Sequence, residues 1–444
     1  MRAFATVFLT FALFVSAFGQ KAFRESSFAS KNETSKSAAL TSLAKLDRLA
    51  RASVNAKPHV TLADEANENL KAIKNADPLE SGNIPNYVKA LAQHTKASQN
   101  FAQLVQTFLY GGTVAPETKM AMVLRVAQVY GSSYTAAHAQ RWLKASDKGQ
   151  AILTKLRANN TFTQSEQLAL IYAELLTRDV HGVSDADFQK VSAVYNDSQM
   201  VELTMITCFA NYFARLNEAL KLPVESWVLD TVPKTPVSIA KQDPTFARIA
   251  LVSDAEMNAV STALTAAKQP QTPSGWNIGV ANSQRAFLRV PALGQAWREY
   301  GAASRGGWSI TREIQLHISF AVSMANGCRY CTLHQVLGLR RLGVDPAKLL
   351  AMKKDDSALS ARELVAVTFA RKLTKEPTSI TDEDFAKLKA EFCEQGAVEV
   401  ALQTCGFAFM NRFTDGLHLP SEDEAIRVYQ ETYGAGAFEK DWKW

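Results

Sequence analysis

Two cysteines and a histidine lie close together in the sequence and have the types and spacing of a redox centre. Cys328 and Cys331 form a C-x-x-C motif, and His334 follows three residues after the second cysteine. If this stretch is helical, His334 and Cys331 share a face, because side chains three residues apart are neighbours on a helix. Two thiols and a base at this spacing are the components of a dithiol redox site.

Two helices are predicted to position these side chains. A strongly apolar run favours a buried helix over 310–325, and Asn326-Gly327 is the predicted turn at which it ends. A second helix is predicted over 328–342, which places both thiols in its first turn. The free N–H groups and the positive end of the helix dipole favour a thiolate there.

The same C-x-x-C motif is compatible with two other roles. It can rest as a structural disulfide, or it can contribute to a metal site. Metal ligation would require both cysteines, His334 and a fourth ligand such as His317, and no second C-x-x-C motif supports it. A c-type haem is excluded, because Thr332 stands where a histidine would follow the second cysteine.

The composition is that of an ordinary globular protein. The chain has 444 residues, of which 47% are hydrophobic and 21% charged, and this length indicates two or three domains. The net charge of +6 is mild and no basic stripe is interleaved with aromatic residues, so no nucleic-acid partner is indicated. Five cysteines are too few for a disulfide scaffold of this size, and their odd number leaves at least one free thiol.

The first residues have the pattern of an export signal, predicted over 1–19. Arg2 supplies a positive charge, 3–15 is an apolar core, and Ala17 and Gly19 are small residues suited to cleavage after Gly19. No later apolar run is long enough to span a bilayer, so no stable membrane insertion is predicted. The mature protein is therefore expected to be secreted or periplasmic.

An internal repeat is the main organisational feature of the chain. Residues 166–223 align without a gap with 363–420 at an offset of 197, with 18 identities in 58 positions. Such a run indicates a duplicated structural unit. An offset of 196 extends the match toward the centre of the chain. It pairs Glu117 with Glu313, Gly131 with Gly327, Tyr134 with Tyr330, and His138 with His334.

The two copies differ at the cysteines. Ser132 stands opposite Cys328, and Thr135 stands opposite Cys331. Because dithiol chemistry requires sulfur, we expect the first copy to be a scaffold and the second to hold the site.

We predict an all-α protein in which two tandem helical domains form a pseudo-dimer. A flexible or partly helical lead-in (20–82) precedes the first domain (83–223), and a linker (224–282) precedes the second (283–444). Ser360 and Thr381 are expected to cap helices. The predicted helices of the second domain are 283–303, 310–325, 328–342, 346–352, 361–373, 382–392 and 399–416.

The second copy resembles the carboxymuconolactone decarboxylase superfamily, and within it the alkylhydroperoxidase D-like, peroxidase-related branch. The resemblance covers about 292–427. Its most specific part is the Asn-Gly-Cys-x-Tyr-Cys core. The segments that carry it are Arg312-Glu313, 323–331, His334, 340–343, 363–367, 381–384 and 411–415.

This resemblance implies an all-helical homo-oligomer and a peroxidase activity without a metal or organic cofactor. Cys331 would attack a small hydroperoxide and Cys328 would resolve the sulfenate as a disulfide, which an external dithiol must reduce. In such enzymes a glutamate and a histidine relay the proton, and Glu313 and His334 are the candidates here. Both are displaced from the usual spacing, since that spacing points to Leu316 and Gln335.

Other activities remain open alongside the peroxidase. The Cys328–Cys331 pair could be a static disulfide in a non-enzymatic helical assembly protein. Decarboxylation of a lactone is less expected, because the branch of the superfamily with that activity generally lacks the cysteine pair. His317 is a second candidate for the proton relay, since it lies one turn after Glu313.

Overall fold

The computed structural model describes residues 39–64, 66–74, 82–94, 97–158, 161–230 and 281–442. These residues form twenty α-helices and no strand, which confirms the all-α prediction. The predicted export signal lies outside the described residues, as do residues 231–280, most of the predicted linker.

Two helices of the predicted lead-in belong to the packed structure. Leu46 on the first and Leu70 on the second are fully buried, so this part of 20–82 is not a flexible extension. The first eleven helices are α1 (Leu43–Ser53), α2 (Glu68–Lys74), α3 (Asn86–His94), α4 (Ser98–Tyr110), α5 (Pro116–Tyr130), α6 (Ser133–Leu143), α7 (Asp147–Ala158), α8 (Gln164–Arg178), α9 (Asp185–Ser192), α10 (Asp197–Leu220) and α11 (Ser226–Asp230).

The described residues 281–442 form nine helices, and the predicted helices lie among them in order. They are α12 (Asn282–Phe287), α13 (Pro291–Arg305), α14 (Arg312–Asn326), α15 (Arg329–Arg341), α16 (Pro346–Lys354), α17 (Ala361–Lys375), α18 (Asp382–Gly416), α19 (Asp423–Tyr433) and α20 (Ala437–Asp441).

Local sequence signals account for most of the helix ends. Gly327 ends α14 with φ of 72°, a left-handed conformation that glycine adopts at little cost. Ser360 and Thr381 both cap helices as predicted, and each forms a capping box. The predicted helix 283–303 is instead two helices, with Pro291 in the first turn of the second, where its missing N–H costs no hydrogen bond.

Helix α18 covers both predicted helices, 382–392 and 399–416. It has a kink between them at Cys393, where φ is 55° and ψ is −178°. Residues with a β-carbon rarely adopt this conformation, so the kink marks the boundary between the two predicted segments.

The centre of the molecule is the packing of α10 against α18. One hydrophobic core extends from the first half of the chain into the second through these helices. Two buried arginines cross between the halves: Arg215 donates to the Thr374 carbonyl (3.4 Å), and Arg412 donates to the Tyr130 hydroxyl (3.3 Å). No helix among the described residues is long and apolar enough to cross a membrane.

Candidate active site

The structure brings the two cysteines of the C-x-x-C motif together at the start of α15. Cys328 is the N-cap residue, and its sulfur accepts a hydrogen bond from the Cys331 N–H at 3.3 Å. Both are free thiols, with 0% of Cys328 and 4% of Cys331 exposed. The sulfurs are therefore close neighbours that are not bonded to each other.

A threonine hydroxyl on α18 contacts both sulfurs. The Thr414 Oγ1 atom lies 3.4 Å from the Cys328 sulfur and 3.4 Å from the Cys331 sulfur. That hydroxyl also donates to the Met410 carbonyl at 3.0 Å. Because a hydroxyl has one proton to donate and this one is directed at a carbonyl, its oxygen is placed to accept a hydrogen bond from either thiol.

Burial dominates the electrostatics of Cys328. Loss of solvent raises the pKa of its thiol well above the ordinary value, and contact with Cys331 and the nearby charge of Asp415 raise it further. The helix N-terminus was expected to favour a thiolate. At Cys328 burial outweighs this effect. The free energy needed to bury a charged thiolate exceeds the stabilisation that the free N–H groups and the dipole of the first turn provide.

An acidic side chain lies beside the thiols. Burial raises the pKa of Asp415 to about 6, although His181, Cys328 and nearby arginines act in the opposite direction. Only 11% of its side chain is exposed, and its Oδ2 atom has no hydrogen-bond partner. A carboxylate in this position can accept a proton from Cys328 near neutral pH.

The first half of the chain supplies a histidine to this acid. The His181 Nε2 atom lies 3.6 Å from Asp415 Oδ2 and 2.9 Å from the Asn326 carbonyl oxygen. A carbonyl can only accept, so Nε2 carries a proton in this contact. Since 48% of the His181 side chain is exposed, the histidine connects the buried acid with solvent.

His334 is held by groups other than the thiols. Its Nδ1 donates to the Tyr330 carbonyl at 2.7 Å, and its Nε2 lies 2.7 Å from Glu422 Oε2. Burial alone would raise the pKa of Glu422, but His334 and the Asn282 N–H outweigh burial and lower it. Both ring nitrogens of His334 are thus directed at oxygen atoms of Tyr330 and Glu422 and not at the thiols.

The first half contains the same network without any sulfur nearby. Glu225 accepts from the Tyr134 hydroxyl at 2.8 Å and lies 3.2 Å from His138 Nε2. Glu422 likewise accepts from the Tyr330 hydroxyl at 3.0 Å. The tyrosine–histidine–glutamate network therefore fastens the helix pair in both halves.

Glu313 lies far from the thiols. It is in the first turn of α14, whereas the cysteines follow the end of that helix, about 20 Å away along its axis. Its carboxylate pairs with Lys348 at 2.8 Å, and His317 lies beside it. The structure does not bring either candidate for the proton relay on α14 to the thiols.

Four residues of the site were not identified as such from the sequence. They are Thr414, Asp415, His181 and Glu422. Glu422 could have been found, because it matches Glu225 at the offset of 197, two positions beyond the aligned run. The sequence matches no family model, and no curated protein matches it significantly.

Proposed function

We propose that this protein is a dithiol oxidoreductase that reduces small hydroperoxides through Cys331 and Cys328. The observation that carries the proposal is the shared contact of both sulfurs with the Thr414 hydroxyl, 3.4 Å each, beside the buried acid Asp415. Two thiols at the start of one helix can form a disulfide after small side-chain rotations.

The reaction balances in two steps. The Cys331 sulfur attacks the terminal peroxide oxygen, the O–O bond breaks, and the thiol proton leaves with the alkoxide as an alcohol. Cys331 is then a sulfenic acid. The Cys328 sulfur attacks it, the S–O bond breaks, and the Cys328 proton leaves with the hydroxyl as water. The peroxide gains two electrons, and an external dithiol restores the two thiols.

Asp415 serves the second step in this proposal. Cys328 must lose its proton as it attacks, and burial has raised its pKa, so it needs a base in contact. Asp415 takes that proton and returns it to the departing hydroxyl. His181 exchanges protons between Asp415 and solvent. This pair replaces the relay through Glu313 and His334 that the resemblance implied.

Two apolar side chains limit access to the thiols. Met410 and Leu419 are partly buried and pack against the cluster of Cys328, Tyr330 and Cys331. A small hydroperoxide reaches the Cys331 sulfur by displacing them, and a bulky one is excluded.

The test is peroxide consumption by the wild type, Cys331→Ser and Cys328→Ser, each with an external dithiol. We expect turnover to be lost in both variants, and a sulfenate to be trapped on Cys331 only when Cys328 is absent. Cys405→Ser is the matched control, because that buried cysteine lies outside the site. Turnover that survives Cys331→Ser would contradict the assignment.

The burial of both sulfurs favours a second candidate, a static disulfide in a helical assembly protein. The reduction potential of the Cys328–Cys331 disulfide separates the two functions. A potential below about −300 mV indicates a structural disulfide, whereas catalytic dithiols lie roughly between −120 and −270 mV.

We further propose that the chain is two tandem copies of one domain arranged as a pseudo-dimer. Matching contacts support this. Glu202 accepts from the Thr113 N–H at 2.8 Å, and Glu399 accepts from the Ser309 N–H at 2.8 Å, at equivalent positions. Cleaving the chain near Thr272 should leave halves that stay associated, and two independently stable monomers would contradict the arrangement.

Export and self-association are part of the same proposal. We expect the mature chain to begin at Gln20 outside the cytoplasm and to form a homo-oligomer. N-terminal sequencing of secreted protein and light scattering measure these two properties. Retention of 1–19 in the mature protein would contradict export.

A further inference from the structure

A second group of reactive side chains lies at the opposite end of α14 from the thiols. Glu313, His317 and Glu363 each direct a potential ligand atom into one space, and these atoms lie within 4.8 Å of one another. Two carboxylates and an imidazole are common ligands of divalent transition-metal ions.

His317 is the second and independent observation. Its side chain is fully buried, and neither ring nitrogen has a hydrogen-bond partner. The Nδ1 atom lies 3.1 Å from Glu363 Oε1 without the alignment of a hydrogen bond, and Nε2 lies 3.7 Å from Glu313 Oε1. Buried polar atoms without partners are uncommon, and these face the carboxylates directly.

Lys348 occupies the space between the carboxylates. Its ammonium lies 2.8 Å from Glu313 and 2.8 Å from Glu363. One positive charge balances only one of the two carboxylates, whereas a divalent cation balances both. With 25% of its side chain exposed and a flexible stem, Lys348 can move its ammonium into solvent.

We propose that Glu313, His317 and Glu363 bind a divalent transition-metal ion that displaces the ammonium of Lys348. Metal–ligand bonds of about 2.0–2.2 Å require the ligand atoms to lie at most about 4.4 Å apart. Since the ligand atoms lie within 4.8 Å of one another, the group needs to close by at most about 0.4 Å when it binds the ion. This site is separate from the thiols and does not depend on their function.

The first half of the chain lacks an equivalent site. Ala121 occupies the position of His317 at the offset of 196. The carboxylates of that half pair separately, Glu117 with Lys148 at 3.9 Å and Glu166 with Lys155 at 3.2 Å. Among the described residues of the two halves, both carboxylates converge on one cation beside an imidazole only in the second.

The test measures zinc binding to the full chain that carries Cys328→Ser and Cys331→Ser, because thiols would themselves bind zinc. After chelation and dialysis, calorimetry with Zn²⁺ alone should find one ion per chain. Adding His317→Ala or Glu363→Gln should abolish this binding. His317→Ala introduces the residue that the first half already carries, so it is expected to fold.

Lys348→Met should strengthen zinc binding, because it removes the ammonium that competes with the ion. We expect zinc to bind at least about tenfold more tightly to this variant. Glu117→Gln is the matched control in the first half and should leave binding unchanged. The proposal is overturned if the cysteine-free chain binds no stoichiometric zinc, or if His317→Ala binds it as tightly as its parent.

Discussion

The two halves of the molecule build the same helix–glycine–helix frame and place different chemistry on it. Gly131 and Gly327 end their helices with φ of 74° and 72°. Beyond the first glycine, the Ser132 hydroxyl donates to the Thr135 hydroxyl at 3.0 Å. Beyond the second, two thiols meet one threonine hydroxyl. The frame therefore does not depend on sulfur, and a few side chains separate a scaffold from a candidate active site.

The acids beside the two frames make the comparison sharper. Burial raises the pKa of Glu218 to about 7 beside Ser132, as it raises that of Asp415 to about 6 beside Cys328. A buried acid is thus part of the frame in both halves. In the second half this acid lies beside a thiol, and a histidine from the first half lies 3.6 Å from it.

The largest effect is expected when the second half is given the residues of the first. The double variant Cys328→Ser, Cys331→Thr should lose all peroxide consumption, because no sulfur remains at the site. Its melting temperature should change by only a few degrees, since the first half is stable with these residues. Residual turnover would show that the reaction uses other groups.

The converse substitution tests whether thiols are sufficient. Ser132→Cys with Thr135→Cys should give a first half that can form a disulfide but reduces no peroxide. This half has Asn217 in place of Thr414. The measurement is peroxide consumption in a chain whose second half lacks its cysteines, and activity there would contradict the roles given to Thr414 and His181.

Asp415→Asn should slow disulfide formation by roughly 100-fold to 1,000-fold, because the base that receives the Cys328 proton is lost. Rapid mixing with peroxide should show the sulfenate forming and then accumulating. Glu218→Gln is the matched control and should leave both steps unchanged.

Asp415→Asn and Glu218→Gln should both raise the free energy of unfolding at high pH. The folded pKa of Asp415, about 6, lies above its ordinary value of 3.8, so the folded state binds more protons between these values and loses stability as pH rises through them. Asparagine removes a penalty of at most about 3 kcal/mol above pH 6. Urea unfolding at pH 4 and pH 8 measures this, and a gain that is equal at both would contradict the buried acid.

His181→Ala should have a smaller effect, a slowing of roughly threefold to tenfold, because this histidine acts through Asp415. Its nearby charge lowers the pKa of Asp415, so the acid limb of the pH–rate profile should move to higher pH in the variant. Thr378→Ala, at the equivalent position of the second half, should change neither the rate nor the profile.

The smallest effect concerns access. Leu419→Ala should increase the rate of Cys331 alkylation by several fold, since Leu419 packs against the thiol cluster. It should also lower the free energy of unfolding by about 1–2 kcal/mol. Leu222→Ala, its counterpart in the first half, should leave alkylation unchanged, and an equal increase would point to general loosening.

Local features of the structure were predictable from the sequence, and long-range ones were not. Gly327 ends its helix and Ser360 caps the next because each acts on neighbouring backbone. Thr414 reaches Cys328 from 86 residues away, through the packing of α18 on α15. No spacing rule encodes that contact. His334 shows the same limit, because its helical position suggested Cys331 whereas a glutamate from α19 holds it.

The contact of His181 with the thiol site has a consequence for how such a protein can change. In an assembly of identical subunits, every substitution at the dyad appears on both sides. Here one polypeptide supplies both sides, so a histidine stands at 181 while threonine stands at 378. In the proposed pseudo-dimer the two sides are therefore free to differ, so that one can specialise as donor and the other as recipient.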